Sequence, residues 1–450
     1  MKILFGFHDT HVDKICKSNP KEFGIIRRKK NILKENKNKE LQIYDYPSFK
    51  LERNYSNSLE NLEQGINKIL WSPLTQMLYE RDYLNIKLET LSLRSIKILN
   101  FIHSSVFLLK KIRPSCIIHH NMPHNFKSWT FCCVAELMGV KIFYPELSHL
   151  PWRYYLVRGL SKPGELVEIN QKEVNSLSET ELRNFEKIFK DRNSDSILSQ
   201  PKYSFFNSKK YSNSIKYEII NFWKRPDLIV NKILCINQYK NIEIDIIPGS
   251  KDVIFFLHYQ PELSTLPRGY NFSQQYRAID ILSRSLPKGS YLYVREHLAT
   301  FKGLCSWKER NVNFYRHINS LPNVKILSLK KYSYEIMKNC GVVATISGTV
   351  AIEGFYKQKK VIIFTPLGPL MNIKHNNIHI YENIEKLKFF LAGKKEVVNS
   401  SDILLNIEKF SMSGFDTDSN NFDNLNTVNH AWRDLARKKW INFLLKKFEY

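Results

Sequence analysis

Paired cysteines are missing from this chain. Its 7 cysteines (Cys16, Cys116, Cys132, Cys133, Cys235, Cys305 and Cys340) are odd in number and scattered, with no CxxC pair. That pattern argues against both a disulfide framework and a zinc site, and makes a reducing cytosol the expected compartment. Long apolar runs are also missing. No stretch approaches a membrane-spanning length, and MKILFGFHDTHVDK puts His and Asp where a signal peptide carries its apolar segment. The expectation is a protein neither secreted by that route nor integral to a membrane. There is no internal repeat, no compact Asp/His cluster for a metal and no nucleic-acid module signature. Acidic residues are few: 43 Asp and Glu stand against 68 Lys and Arg, a formal net charge of +25. An excess of this size implies an anionic partner, whether nucleic acid, acidic lipid or an anionic metabolite, although a Lys-, Asn- and Ile-rich composition accounts for part of it as solvated surface.

What is present is an ordinary globular balance. The chain has 450 residues, of which 43% are hydrophobic and 25% charged, enough for two domains with real cores. Residues 1 to 60 are polar and basic, with a cluster at Arg27, Arg28, Lys29 and Lys30, and show no clean periodicity. From Leu62 to Lys111 the apolar spacing is helical and predicts two or three helices, ended by Pro114. CIIHHN (116–121) then reads as a strand, Trp129 to Met138 as a helix closed by Gly139, and KIFYPE (141–146) as a strand. Residues 165 to 215 are polar and read as a connection.

After that connection the alternation is regular. VIFFLHY (253–259), YLYVRE (291–296), VKILSL (324–329) and the two strands within GVVATISGTVAIEGFYKQKKVIIFTP (341–366) are separated by helical segments at 272–286, 307–321 and 334–339. Such spacing requires a parallel sheet with right-handed crossovers. The domains expected are residues 1–215, 216–400 and a tail helix over 401–450.

Ligands in such sheets bind beyond the carboxyl ends of the strands. There the sequence places His258, Gln260 and Glu262, then Arg295 and His297, then Ser347, Gly348 and Thr349, and finally Thr365, Pro366, Leu367 and Gly368. The Ser-Gly-Thr turn is expected to point free backbone amides at an anion, with Gly348 letting the backbone come close to a ligand. Glu353 lies near the azimuth of Thr349, off the apolar face made by Ala351, Ile352 and Phe355, and is expected to accept ribose hydroxyls or to face water. The bland alternative is a plain capped helix after a buried strand.

The segment LHYQPELSTLPRGYNFSQQYRAIDILSRSLPKGSYLYVREH, with LPNVKILSL and ISGTVAIEGFYKQKKVIIFTPLG, resembles the C-terminal half of bacterial capsular and surface polysaccharide biosynthesis proteins. These are GT-B type glycosyltransferase-like proteins related to the capsule Kdo transferases. The resemblance runs from about Val253 to Gly368, and PHNFKSWTFCCVAELMGVKIFYPE (123–146) is similar, less specifically, to a β-α-β stretch of the N-terminal domain. It implies an α/β fold of two Rossmann-like domains facing across a cleft, with the donor held mainly by the C-terminal one. It also implies that His297 contacts the donor phosphate, that Ser347, Gly348 and Thr349 hold that phosphate, and that Glu353 meets the ribose. Leu298 stands where the family has proline, and Arg295 where lysine is common, so the resemblance leaves the donor open.

The reaction implied is a metal-independent sugar transfer from a nucleotide-sugar, CMP-linked first, to a glycan or lipid-linked acceptor, with no cofactor and no nucleic acid as partner. Glu146 is the first candidate for the base that assists the acceptor hydroxyl, and His124 the second; the bland alternatives are a capping carboxylate and a histidine bonded to backbone. The rival readings are a nucleotide-sugar epimerase or hydrolase of the same fold, a nucleic-acid-binding protein, and a non-catalytic polysaccharide assembly protein. The tail HAWRDLARKKWINFLLKKFEY (430–450) interleaves aromatics with Lys and Arg, and is expected either to lie on the anionic inner face of a membrane or to pack back on the protein.

Overall fold

The computed structural model describes residues 3–7, 10–27, 42–48, 62–83, 89–147, 153–160, 164–169, 177, 179, 181–182, 226–260, 262–301, 310–331, 333–365, 370, 372–413 and 430–447. Most of the basic cluster at 27–30 and the expected site residues Pro366, Leu367 and Gly368 lie outside them. The chain divides into two compact units. Unit 1 comprises Met1–Ser176, Glu408–Phe422 and Val428–Tyr450, and unit 2 comprises Leu177–Ile407 and Asp423–Thr427. No helix among the described residues is long and apolar enough to cross a membrane.

In unit 1 the strands are β1 (Ile3–Phe5), β2 (Phe23–Arg27), β3 (Ile43–Asp45), β4 (Cys116–Ile118), β5 (Lys141–Leu147), β6 (Arg153–Arg158) and β7 (Glu165–Leu166). They lie in the order β3-β2-β1-β4-β5-β6, followed by the late strand Ser411–Ser413, with β7 also on β6. From β3 to β5 all neighbours are parallel, and β6 turns antiparallel against β5. All three residues of β1 are buried, as a central parallel strand covered on both faces demands. Of the expected strands, 116–121 forms only over Cys116–Ile118, and 141–146 forms over Lys141–Leu147. The helical run resolves into three helices, Glu63–Leu70, Pro73–Tyr83 and Leu91–Ile112. Asn125 caps the next helix, Phe126–Leu137, by accepting from the Ser128 amide at 3.0 Å.

Just past β1, the Gly6 amide donates to the carbonyl of Ile118 at 2.7 Å, and a Cβ at Gly6 would run into the ring of His119. That ring is buried against Cys132, and burial pushes its pKa down to about 3, so it is neutral. Gly6→Ala is therefore expected to cost unit 1 about 1–3 kcal/mol by overpacking. A thermal melt checks it, and an unchanged midpoint would mean that the ring moves aside freely.

The tail forms the helix His430–Lys447, whose Trp440, Ile441, Phe443 and Leu444 are buried in the unit 1 core with Phe5, Phe7, Ile25 and Leu156. This corrects the membrane expectation for these residues: their apolar side already has a protein partner. Lys438, Lys446 and Lys447 are left exposed. The side chains of Trp432, Leu435, Ala436 and Phe448 lie outside the described residues.

Unit 2 is built from β8 (Glu243–Ile244), β9 (Val253–Phe256), β10 (Leu292–Arg295), β11 (Val324–Leu327), β12 (Val342–Thr345), β13 (Lys360–Ile363) and β14 (Ile378–Ile380). All are parallel, in the order β14-β13-β12-β9-β10-β11-β8. Strands β10, β12 and β13 are buried at every residue, the mark of a sheet covered by crossover helices on both faces. Among those helices, Tyr276–Ser285 buries Ala278, Ile279, Ile281 and Leu282. Asn311 and Asn383 cap the helices Val312–Ser320 and Ile384–Ala392, accepting from the amides of Phe314 at 2.8 Å and Lys386 at 2.9 Å. The fold is thus α/β, with one doubly wound, largely or wholly parallel sheet in each unit.

Candidate functional site

The strand order of unit 2 creates one special place. The chain builds outward from β9 in one direction through β10 and β11, then returns to the other side through β12 and β13, so the loops after β9 and β12 leave neighbouring strands in opposite directions. A crevice opens at such a switch point, beyond the carboxyl ends of the strands. Phe256 pairs with Thr345 at that end, which brings His258 against the Ser347–Thr349 turn.

His258 is buried, and its Nε2 lies 3.0 Å from Thr345 Oγ1 while accepting from the Ser347 amide at 3.2 Å. An amide N–H can only donate, so Nε2 carries no proton and the neutral ring keeps its proton on Nδ1. Burial, aided by the positive charges of His297, Arg268 and Arg310, pushes this pKa down to about 3. The Gly348 amide is occupied too, donating to Thr345 Oγ1 at 3.2 Å, and Ser347 Oγ donates to the Ser264 carbonyl at 2.7 Å. The expectation of free amides in this turn is thus corrected for Ser347 and Gly348. His258, Thr345 and the 262–270 loop have taken Ser347 and Gly348 for themselves, because a buried amide needs a partner and these were the nearest. The amides of Thr349 and Val350 are left without a partner among the described residues. Gly348 does permit a close approach, but to protein: a Cβ there would stand 2.8 Å from Thr345 Oγ1 and 3.1 Å from His258 Cε1.

The helix after the turn, Val350–Tyr356, has seven residues and is buried from Ala351 onward. Glu353 therefore neither faces water nor stands clear of the core, as its azimuth alone predicted. It hydrogen-bonds Thr349, and burial raises its pKa to about 7 against the favourable charge of Lys357. Gly354 lets the helix sit on Val343 of β12, where a Cβ would come within 3.1 Å.

After β10 the expected roles also change. Arg295 is buried, and its guanidinium donates to the carbonyls of Ser328 at 3.3 Å and Lys331 at 2.6 Å, pinning the loop after β11. His297 is exposed, with its ring 6.2 Å from that of Tyr259. Desolvation of the imidazole lowers its pKa and the Arg310 charge adds to this, while Glu262 and Glu296 pull upward. Gln260 is committed at both ends of its amide, donating to the Ser273 carbonyl at 2.7 Å and accepting from Arg310 at 2.6 Å and Gln275 at 2.9 Å. Glu262 is exposed and accepts from Ser264 Oγ at 3.0 Å. Thr365 Oγ1, after β13, donates to the Gly269 carbonyl at 3.2 Å. The loop from Glu262 to Tyr270 is thereby tied to the turn after β12 and to the end of β13. It carries Arg268, whose charge reaches His258.

In unit 1, Glu146 is buried on β5 opposite Tyr155 of β6. His124 has Nδ1 3.2 Å from the carbonyl of Met122, and its own carbonyl accepts from Arg81. For His124 the backbone-bonded alternative describes what is seen.

Sequence reasoning missed Arg268, Gln275, Thr345 and Arg310. Gln275 accepts from the His258 amide at 2.7 Å and donates to the His258 carbonyl at 3.0 Å, holding the end of β9 in place. Thr345 closes a strand, which was the available hint; Arg310 had none, since nothing near it in the sequence marks a buried ion pair.

No protein-family model matches the chain, and no curated protein matches it. Solved structures similar to it include the UDP-GlcNAc 2-epimerase of Methanocaldococcus jannaschii, 14% identical, covering 88% of this chain and 94% of that one at a TM-score of 0.27. Another is Thermosulfurimonas dismutans KpsC, a beta Kdo 2,7 transferase, 10% identical over 76% of this chain and 90% of that one at a TM-score of 0.30. A third is MurG of Acinetobacter baumannii, 8% identical over 90% and 94% at a TM-score of 0.22. Likeness at these scores carries no argument about substrate.

Proposed function

We propose that this chain is a glycosyltransferase of capsular or surface polysaccharide assembly, taking a sugar from a nucleotide-sugar, CMP-linked first and UDP-linked next, to a glycan or glycolipid acceptor. The observation that supports it is the meeting of the His258 loop, the Glu262–Tyr270 loop and the Ser347–Thr349 turn at the switch point of a wholly parallel sheet. Donor cleavage leaves negative charge on the departing nucleotide phosphate. The groups suited to it here are the amides of Thr349 and Val350, the nearby charge of Arg268, and His297 when protonated. His258 serves differently, as the neutral acceptor that shapes the turn.

Calorimetry with CMP, UDP and GDP tests the reading. One of them should bind, and His297→Ala should weaken it about 10- to 100-fold, the equivalent of one charge-assisted hydrogen bond of about 1.5–3 kcal/mol, with the melting temperature unchanged. Because the pKa of His297 is lowered, binding should strengthen as pH falls and the ring takes its proton. Failure of all three nucleotides to bind would defeat the proposal. Product analysis with a labelled donor then assigns the reaction. Label in a glycan only when acceptor is present means transfer; an epimerised or hydrolysed sugar without acceptor means the epimerase or hydrolase reading; neither product means an assembly protein.

A further inference from the structure

We infer that the buried pair Arg310–Glu296 is a positioning device that sets the His297 loop against the His258 loop and thereby sets nucleotide affinity; this rests on the nucleotide-binding reading of unit 2. Both side chains are all but sealed from solvent, at 1% and 0% exposure, and Arg310 Nε meets Glu296 Oε2 at 2.8 Å. From that contact the guanidinium reaches to the end of β9, donating to the carbonyl of His258 at 3.1 Å and to Gln260 Oε1 at 2.6 Å. The carboxylate reaches the other way. Its Oε1 accepts the His297 amide at 2.8 Å and Thr300 Oγ1 at 3.2 Å, while Oε2 also accepts from Tyr315 at 2.8 Å. Arg310 is itself fixed, with its carbonyl accepting from Asn231 at 2.6 Å and its guanidinium 4.5 Å from the centre of the Phe314 ring.

Stability alone gives little reason for this arrangement. A desolvated ion pair is often no more stable than well-packed apolar side chains of the same volume. What apolar packing lacks is direction. Among the described residues, the bonds from these two side chains to the main chain end on the carbonyl of His258 and the amide of His297, and a planar guanidinium with a two-oxygen carboxylate fixes both at once. The same carboxylate, with Glu262, favours the protonated form of the His297 ring, and the Arg310 charge opposes it by a smaller amount. Loss of the pair should therefore loosen the loops and make the ring harder to protonate.

The test uses the full-length chain and the nucleotide that the wild type binds, with affinity measured by calorimetry from pH 5.5 to 8.5 beside a thermal melt. The paired variant Glu296→Gln/Arg310→Met removes both charges while keeping volume and an acceptor for the His297 amide. It is expected to melt near the wild-type temperature, to bind about 10-fold more weakly, and to need a lower pH for its best binding. A folded paired variant with wild-type affinity and pH profile overturns the inference. If the paired variant does not fold, Arg310→Lys decides, since it keeps the charge but loses the fork: weakened binding supports the inference and unchanged binding overturns it. Weaker binding by His297→Ala combined with unchanged binding by the pair variants sinks the positioning role alone, whereas absence of binding by the wild type takes the nucleotide reading down with it.

Discussion

Arg310→Ala is expected to destabilise unit 2 by about 3–5 kcal/mol, the cost of leaving one member of a buried ion pair without the other. The reason is local. With the guanidinium gone, Glu296 stays enclosed with only the amide of His297 and the hydroxyls of Thr300 and Tyr315 to hold its charge, and Gln260 and the His258 carbonyl each lose a donor. Denaturant unfolding measures the total. Hydrogen exchange at the amides of β9 and β10 shows whether the loss falls on the strands that lead into the two loops. A cost below about 1 kcal/mol would place the pair among solvated salt bridges, which are worth little, and would contradict its burial.

Glu353→Gln is expected to stabilise the protein above neutral pH and to change little in acid. The carboxyl of Glu353 is held neutral by burial, its pKa rising from 4.5 to about 7. A folded-state pKa above the unfolded one means that the native state keeps a proton the unfolded chain gives up. The stability this contributes is fully present below pH 4.5 and is lost as pH rises through 7. At about 1.36 kcal/mol per pH unit, the loss reaches about 3 kcal/mol. Glutamine keeps the shape and the acceptor for Thr349 but has no charge to desolvate, so the variant should exceed the wild type by up to about 3 kcal/mol at pH 8 and match it within about 1 kcal/mol at pH 4.5. His258 acts in the opposite sense. Its neutral form is favoured down to about pH 3, so its contribution is present above the unfolded value and lost as pH falls. It is common to both proteins, and the difference in denaturant midpoints isolates Glu353. A Gln variant less stable than the wild type at pH 8 would show that Glu353 is needed as an anion.

Much of unit 2 is legible in the sequence. Runs such as VIFF, LYVR and VVAT are apolar because parallel strands are buried on both faces, and the Asn residues opening Val312–Ser320 and Ile384–Ala392 satisfy helix amides whatever surrounds them. The alternation of strands and helices alone demands a parallel sheet, and that places His258, His297 and the Ser347–Thr349 turn on one edge. Unit 1 is harder. Its first strands are three to five residues long, too short to show a period, and sit among Lys- and Asn-rich stretches, so β1, β2 and β3 leave no signal.

Local chemistry along the chain sets each element's type and the end of the sheet at which polar residues gather, because backbone geometry, caps and two-sided burial act over a few neighbouring residues. Which loops meet depends on the assembled fold. The order that puts β9 beside β12 is a matter of long-range pairing, and it makes His258, expected only at the ligand-binding edge, the acceptor of the Ser347 amide. Burial belongs to the assembled fold as well. A helical wheel assigns Glu353 and Trp440 to faces but cannot say what covers those faces, and the structure covers both with protein. Arg295 and Arg310 read alike as cations in the sequence. One spends its donors on the loop after β11 and the other joins Glu296, because a charge taken out of water must bond whatever the fold has brought within reach.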